Sequence, residues 1–207
     1  MSIDRAKKIK VILFDVDGVL TDGTIWFFPA PNSGPRSTDA HAERHQDSAG
    51  YGIVSQNMIE AKGFHAHDGT AISLARLGGL KTGIVTKRIS ETVALRARDL
   101  RLDYVFQGAA NKSEVLDKIL AESGIHEEQV AYVGDDVIDL PIMRRCGLAI
   151  AVGNARPQIK EMAHYQTVSK GGEGAGRDAV EYILEALGTL EKVIDAYIHA
   201  RTSLREQ

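Results

Sequence analysis

Two short apolar runs of this chain end in carboxylates. Lys10 to Phe14 leads into Asp15-Val16-Asp17-Gly18-Val19-Leu20-Thr21-Asp22-Gly23, and Gln129 to Val133 leads into Gly134-Asp135-Asp136-Val137-Ile138-Asp139. An ionised group at the end of a buried strand is costly to desolvate unless something pairs with it. One Asp-x-Asp pair is an ordinary feature of polar loops. Two clusters at neighbouring strand ends are another matter, because like charges at that range raise a pKa or recruit a cation. A set made of oxygens favours a hard ion, Mg2+ above all. Thr86 ends a further run, Lys81 to Val85, with a hydroxyl and a backbone N–H, and Lys112 opens a helical stretch with a mobile positive charge. Taken singly, a Thr at a strand end is often a helix cap and a Lys in a first helical turn is usually solvated. In this chain order, each at a strand end or helix start, these positions describe a site for a phosphate group beside a metal ion.

Such a site needs a parallel sheet, because open parallel sheets place ligands at the C-terminal ends of their strands. Lys10 to Phe14, Lys81 to Val85, Tyr104 to Phe106, Gln129 to Val133 and Leu148 to Val152 are short and continuous rather than alternating, as strands buried on both faces are. Between them Thr70 to Leu77, Ser90 to Leu100 and Asn111 to Ser123 carry helical periodicity. The last is the best signalled: Asn111 caps, Glu114 occupies the capping-box position, Val115, Leu116, Ile119 and Leu120 share a face, and Gly124 stops it. The alternation predicts an α/β fold, a doubly wound parallel sheet of the Rossmann-like kind.

Two segments fall outside this rhythm. Trp26 to Phe28 and Gly63 to His67 read as the arms of a β-hairpin, and the stretch between them, Pro29 to Glu60, exceeds an ordinary connection, so it is either a functional lid or partly disordered. His41, Glu43, His45 and Asp47 within it have tempting spacing for a metal, but a polar segment without Cys is better read as solvated. From Asp178 onward, Val180, Ile183, Leu184, Leu187, Leu190, Val193, Ile194 and Tyr197 follow helical spacing and predict core or a subunit interface. The glycine-rich Gly171 to Gly176 is no dinucleotide fingerprint, because it does not follow the first strand of a βαβ unit; it predicts a mobile loop on the phosphate side, ending at Arg177.

With 207 residues, 43% hydrophobic and 26% charged, the chain suits one domain, spanning 1–207 with an insertion at about 29–60. Lys plus Arg total 25 against 28 Asp plus Glu, a net charge of −3, which is no footprint for nucleic acid or an anionic membrane. No apolar run approaches the roughly 20 residues of a membrane span. Cys146 is the single cysteine and has no intrachain partner, and the basic start, Met1 to Lys10, leads into a strand rather than a signal-peptide core. These features predict a cytoplasmic protein.

Asp15-Val16-Asp17-Gly18, Thr86, Lys112 and Gly134-Asp135-Asp136-Val137-Ile138-Asp139 together resemble, over nearly the whole chain, the four motifs of the haloacid dehalogenase superfamily of aspartyl phosphohydrolases. Within it the chain is most similar to the 3-deoxy-D-manno-octulosonate 8-phosphate phosphatase family, through Leu20-Thr21-Asp22-Gly23, Asp68-Gly69, Asp139-Leu140-Pro141 and Gly171-Gly172-Glu173-Gly174-Ala175-Gly176-Arg177. The same motifs recur in phosphatases of sialic-acid-type 9-phosphates and in a domain fused to acylneuraminate cytidylyltransferases. The resemblance implies a phosphatase without a large cap domain, acting on a small sugar phosphate in lipopolysaccharide biosynthesis. It also implies a homotetramer in which the hairpin and the C-terminal segment of one subunit lie near a neighbour's site. Three departures stand out. Thr86 is followed by Lys87 and Arg88 where the family usually has Gly and Arg, His67 stands where Arg is common, and the long insertion replaces a short turn. Lys87 thereby places a long cation where the family normally has none, and His67 turns a permanent charge into a titratable one.

The chemistry follows from the slowness of phosphate monoester hydrolysis, which requires an in-line nucleophile and neutralisation of the phosphoryl oxygens. The nucleophile is read as Asp15, forming an aspartyl-phosphate. Mg2+ is assigned to the Asp15 carboxylate, the Asp17 carbonyl and Asp135. Thr86 and Lys112 hold phosphate oxygens, Asp17 acts as general acid and then base, and Asp136 and Asp139 orient the metal's waters and Lys112. Substrate contacts are expected from Thr86, Lys87, Arg88, Lys112, Arg177 and Asp68. A phosphomutase would need a cap between Thr86 and Lys112, and 26 positions are too few for one there. The alternatives left open are a phosphatase of a nine-carbon ulosonic 9-phosphate or another small ester, and a non-catalytic assembly domain.

Overall fold

Apolar runs too short to be helices and too continuous to face water on one side settle into a parallel sheet covered on both faces. The computed structural model describes residues 1–30, 41–44, 51–54 and 58–203. A short helix, α1 (Ser2–Ala6), precedes β1 (Val11–Phe14), and the chain continues through β2 (Trp26–Pro29), β3 (His41–Arg44), β4 (Tyr51–Val54), β5 (Met58–Ala61) and α2 (Ala66–Leu77). Next come β6 (Lys81–Val85), α3 (Glu91–Asp99), β7 (Tyr104–Phe106), α4 (Lys112–Ser123) and β8 (Val130–Gly134). The last part runs α5 (Leu140–Met143), β9 (Leu148–Ala151), α6 (Pro157–Met162), β10 (Tyr165–Gln166), α7 (Ala175–Ala186) and α8 (Leu190–Ser203). Among the described residues no helix is long and apolar enough to cross a membrane.

The main sheet has the order β10-β9-β8-β1-β6-β7, with every pairing parallel. Strands β1, β8 and β9 are buried throughout, as their unbroken apolar sequences require. The register pairs Phe14 with Ile84 on one side and with Val133 on the other. Asp15, Thr86 and Asp135 therefore leave adjoining strands at the same sheet edge. The chain winds outward in both directions from β1, so this edge is also the topological switch point where such sheets bind ligands.

Helix boundaries follow their caps. Asn111 accepts from the Ser113 N–H at 3.1 Å and donates to Glu114 at 3.0 Å, while Gly124 ends α4 in the left-handed conformation at φ +66°. At α3 the Ser90 hydroxyl accepts from the Val93 N–H at 3.4 Å. The predicted tail stripe spans two helices, α7 and α8, separated where Gly188 takes φ +67°. Its Val180, Ile183, Leu184 and Val193 are core residues. Cys146 is buried in the same core, where burial pushes its thiol up to about 12.

The hairpin differs from expectation in one arm. Trp26–Pro29 pairs with Met58–Ala61, not with Gly63 to His67, and the register sets Trp26 opposite Ala61 and Phe28 opposite Ile59. The predicted second arm fails because its end is already helix: His65 Nδ1 caps α2 by accepting from the His67 N–H at 3.3 Å, and the helix starts four residues before the predicted Thr70. The ribbon leaves Trp26, Phe28 and Ile59 exposed, with the Trp26 and Phe28 rings stacked. Within the long insertion, β3 and β4 form a second antiparallel pair. Of the candidate metal residues there, His41 and Glu43 fall on β3, while His45 and Asp47 lie outside the described residues, as do most of the residues of the expected lid.

Candidate active site

Asp15 leaves β1 with its backbone N–H still bonded to Val133 O at 3.0 Å, and its Oδ1 accepts from the Val16 N–H at 2.7 Å. The chain then turns at Gly18, whose φ of +93° disfavours any side chain. A Cβ there would also collide with the Asp135 carboxylate. Glycine at this position is what lets the two acidic clusters approach. The Gly171 to Gly176 segment, expected to be mobile, packs on the same turn. Gly172 N–H donates to Val19 O at 3.0 Å, Gly171 N–H donates to Asn154 Oδ1 at 2.9 Å, and a Cβ on Gly171 would run into the Gly18 carbonyl.

Lys112, the first residue of α4, is buried to 2% exposure. Its Nζ lies 2.9 Å from Asp15 Oδ1, 2.7 Å from Asp139 Oδ1 and 3.0 Å from the Tyr132 hydroxyl. Burial pushes this ammonium down, but Asp15 and Asp139 outweigh the burial and leave its pKa above the usual lysine value. Asp139 is saturated: Oδ1 accepts from Lys112 and, at 2.7 Å, from the Tyr132 hydroxyl, while Oδ2 accepts from the N–H groups of Asp135 at 3.0 Å and Asp136 at 3.3 Å. Asp136 itself is exposed and turned to the Val137 N–H at 2.7 Å. Burial lifts the Tyr132 hydroxyl far above the usual tyrosine value, helped by Asp139 and Asp15, so it stays protonated.

Oxygens of Asp15, Asp135 and Asp139 fall within 4.8 Å of one another. Burial raises Asp15 to about 7, with Lys112 pulling it back and Asp139 adding to the rise. Burial followed by Asp15, Asp139 and Asp136 raises Asp135 to about 7. Asp135 Oδ1 is buried without a hydrogen-bond partner. Two carboxylates held above the usual range by burial, with Asp139 pushing on both and one of them carrying an orphaned oxygen, fit a hard divalent cation. Since Asp139 already accepts four hydrogen bonds, the capacity for a cation lies with Asp15 and Asp135.

Asp15, Asp17, Thr86, Lys87, Arg88, Asp135, Asp136 and Ile138 line a cleft of about 190 Å³. Thr86 is 2% exposed, and its hydroxyl accepts from the Arg88 N–H at 3.3 Å. Two residues with no motif signal join the site from the ribbon. Glu60 accepts from the Arg88 guanidinium at 3.1 Å and from the Ser90 hydroxyl at 2.6 Å, and Lys62 forms an ion pair with Asp17. Tyr132 was likewise hidden, because in sequence it is one more bulky residue of a buried strand. Asp68 and Arg177 stand apart from this cleft. Asp68 Oδ1 accepts from the Arg177 N–H at 2.9 Å, capping α7, and Arg177 Nε donates to Glu181 at 2.5 Å.

A phosphate-sized cleft at the switch point of a parallel sheet, with a carboxylate pair and a buried lysine, defines a phosphohydrolase. Residues 84–176 match the haloacid dehalogenase-like hydrolase family. The 3-deoxy-D-manno-octulosonate 8-phosphate phosphatase KdsC of Escherichia coli K12 is 33% identical over 92% of this chain and 87% of its own. A probable YrbI-family phosphatase from Pseudomonas syringae superposes with a TM-score of 0.78 at 40% identity, covering 95% of this chain and 96% of that one. The Moraxella catarrhalis 3-deoxy-D-manno-octulosonate 8-phosphate phosphatase, solved with magnesium, phosphate and KDO, gives a TM-score of 0.78 at 30% identity, covering 94% and 97%. The chain belongs to the haloacid dehalogenase-like hydrolases and is a phosphatase of that family.

Proposed function

We propose that this phosphatase hydrolyses the phosphate monoester of a sugar acid, 3-deoxy-D-manno-octulosonate 8-phosphate, through an aspartyl-phosphate on Asp15 with Mg2+ bound. The observation that carries the reading is the Asp15 carboxylate at the head of the cleft, 2.9 Å from a buried lysine and beside an orphaned oxygen of Asp135. Likeness along nearly the whole chain to phosphatases of that substrate supports its identity.

Asp15 attacks phosphorus in line: an Asp15 O–P bond forms as the bond to the sugar oxygen breaks, and Asp17 gives its proton to the departing alkoxide. Water then attacks the same phosphorus while Asp17 takes the water's proton, which releases inorganic phosphate and frees Asp15. Lys112 and the Thr86 hydroxyl neutralise and hold the non-bridging oxygens. Asp139 and Tyr132 hold Lys112. The Asp15 and Asp135 carboxylates and the Asp17 carbonyl would hold Mg2+, which lowers the repulsion between a carboxylate nucleophile and a phosphate dianion. Lys87 and Arg88, at the cleft, face the sugar acid, whose own carboxylate favours cations there. Asp136, in the cleft lining, would orient water at a bound Mg2+. The whole chain works as one domain in the cytoplasm, and the exposed Trp26–Phe28 ribbon supplies an apolar surface for a homotetramer. In that assembly Arg177 reaches a neighbour's substrate, and Asp68 serves by capping the helix that carries it.

Phosphate release measured from eight- and nine-carbon ulosonic phosphates at graded Mg2+ tests this. Turnover fastest on the eight-carbon ester, absent without Mg2+ and abolished in Asp15→Asn, is expected. A preference for the nine-carbon ester would reassign the substrate, and wild-type turnover in Asp15→Asn would remove the nucleophile.

A further inference from the structure

Lys62 stands at the root of the ribbon, one residue beyond β5, and its side chain is wholly buried at 0% exposure. A buried ammonium demands counter-charge. Its partners are Asp17, with which it makes a direct ion pair, and Glu60, whose carboxylate is 3.9 Å away. Glu60 is in turn fixed to the body of the domain. Its two oxygens accept from Arg88 and Ser90, and its backbone carbonyl accepts from the Thr92 hydroxyl at 2.9 Å. The last residues of the ribbon are thus clamped to the start of α3, and the clamp delivers Lys62 to a carboxylate that projects into the cleft.

We propose that Lys62 is a positioning residue for Asp17. This rests on the reading of Asp17 as the group that protonates the leaving oxygen. The ion pair engages Asp17 Oδ1. It holds the carboxyl group in one rotamer, with Oδ1 accepting from Lys62 and Oδ2 presented to substrate as the oxygen that carries the transferable proton, while Glu60 remains the countercharge of the ammonium. Without that contact the half-buried carboxylate is free to rotate, and proton transfer depends on heavy-atom distances of about 2.6–3.2 Å that a rotated side chain does not meet. Lys62 does not bind the phosphoryl group, which already has Lys112 and Thr86. The ribbon therefore takes part in the chemistry through one side chain, whatever it does for assembly.

The test compares leaving groups in single turnovers of the full-length protein at saturating Mg2+. One substrate is p-nitrophenyl phosphate, whose phenolate leaves without a proton. The other is 3-deoxy-D-manno-octulosonate 8-phosphate or, if wild type does not turn that over, ribose 5-phosphate; both shed a basic alkoxide. Lys62→Met should slow the first turnover of the alkyl ester about tenfold or more, within the roughly 10² to 10⁴ that general acid catalysis supplies. The nitrophenol burst should slow by less than about threefold. Steady-state turnover of both esters should fall, since Asp17 also activates the water. Burst rate constants are independent of the folded fraction, which only changes burst amplitude, so partial unfolding cannot imitate the result. Lys62→Arg, which keeps the ion pair, should recover most of the alkyl rate. Equal slowing of both bursts, no slowing, or an arginine variant no better than the methionine one overturns the proposal. Asp17→Asn separates the two layers. Selective alkyl slowing there but not in Lys62→Met removes Lys62 alone, whereas equal slowing in Asp17→Asn removes the acid assignment and this inference with it.

Discussion

Asp136 and Asp139 sit three positions apart in one acidic motif, yet replacing each by Asn should have very different costs. Asp139 is fully buried and accepts four hydrogen bonds, two from Lys112 and the Tyr132 hydroxyl and two from the backbone of Asp135 and Asp136. An amide has one oxygen, so whichever way it turns, its NH2 faces two donors. Each buried donor left unsatisfied costs about 1–3 kcal/mol, and Lys112 also loses one of its two countercharges. Breaking a buried pair from one side typically costs about 3–5 kcal/mol. Removal of the Asp139 charge relieves Asp15 and Asp135, which it pushes upward. The net is therefore placed at the lower end, about 3 kcal/mol for Asp139→Asn. At about 2–4 °C per kcal/mol for a chain of this size, the melting temperature should fall by roughly 6–12 °C. Asp136 is exposed and its carboxylate accepts from the Val137 N–H, a bond that an amide oxygen can also accept, so Asp136→Asn should stay within about 1 kcal/mol. Urea unfolding followed by circular dichroism, at one pH and one Mg2+ concentration, measures both. An Asp139→Asn protein within about 1 kcal/mol of wild type, or an Asp136→Asn protein equally destabilised, would refute the hydrogen-bond argument.

Gly18→Ala adds a methyl at φ +93° into the Asp135 carboxylate, so Asp135 must move. With Mg2+ held as proposed, the concentration needed for half-maximal turnover should rise about tenfold, or about 1.4 kcal/mol, and an unchanged Mg2+ titration would detach Asp135 from the metal. Burial raises Asp68 to about 6, against the pull of the Arg177 N–H, the His65 charge and the Gly176 N–H and with a push from Asp178. Its folded form therefore holds a proton that the unfolded chain has released by about pH 4. That contribution to stability is fully present below about pH 4 and is lost as pH rises through 6. Asp68→Asn cannot ionise and keeps an oxygen for the Arg177 N–H. Relative to wild type it should gain about 2 kcal/mol between pH 4.5 and 7.5 in urea unfolding, and parallel pH profiles would show that Asp68 does not titrate in this range.

The five strands of the sheet that were read from sequence stand within a residue of their expected ends; β1, β8 and β9 are buried throughout and so form unbroken apolar runs, while β6 and β7 keep enough of that pattern despite an exposed Lys81 and Val105. The two acidic clusters and Lys112 were legible for a related reason: charge placed against such a run, or at a capped helix start, conflicts with local burial unless a site explains it. The ribbon was harder. Met58–Ala61 and Gly63 to His67 are both short and mixed, and the pairing was decided by where α2 is capped rather than by either segment's own pattern. Glycine-rich Gly171 to Gly176 reads as mobile until Gly18 is seen against it. The roles of Tyr132, Glu60, Lys62 and Asp68 are properties of pairs. Lys62 meets Asp17 across 45 positions and Asp68 meets Arg177 across 109. Periodicity and capping act within a turn or two of chain and are written locally, whereas the partner of a buried charge is chosen by strand order and by which surfaces exclude water.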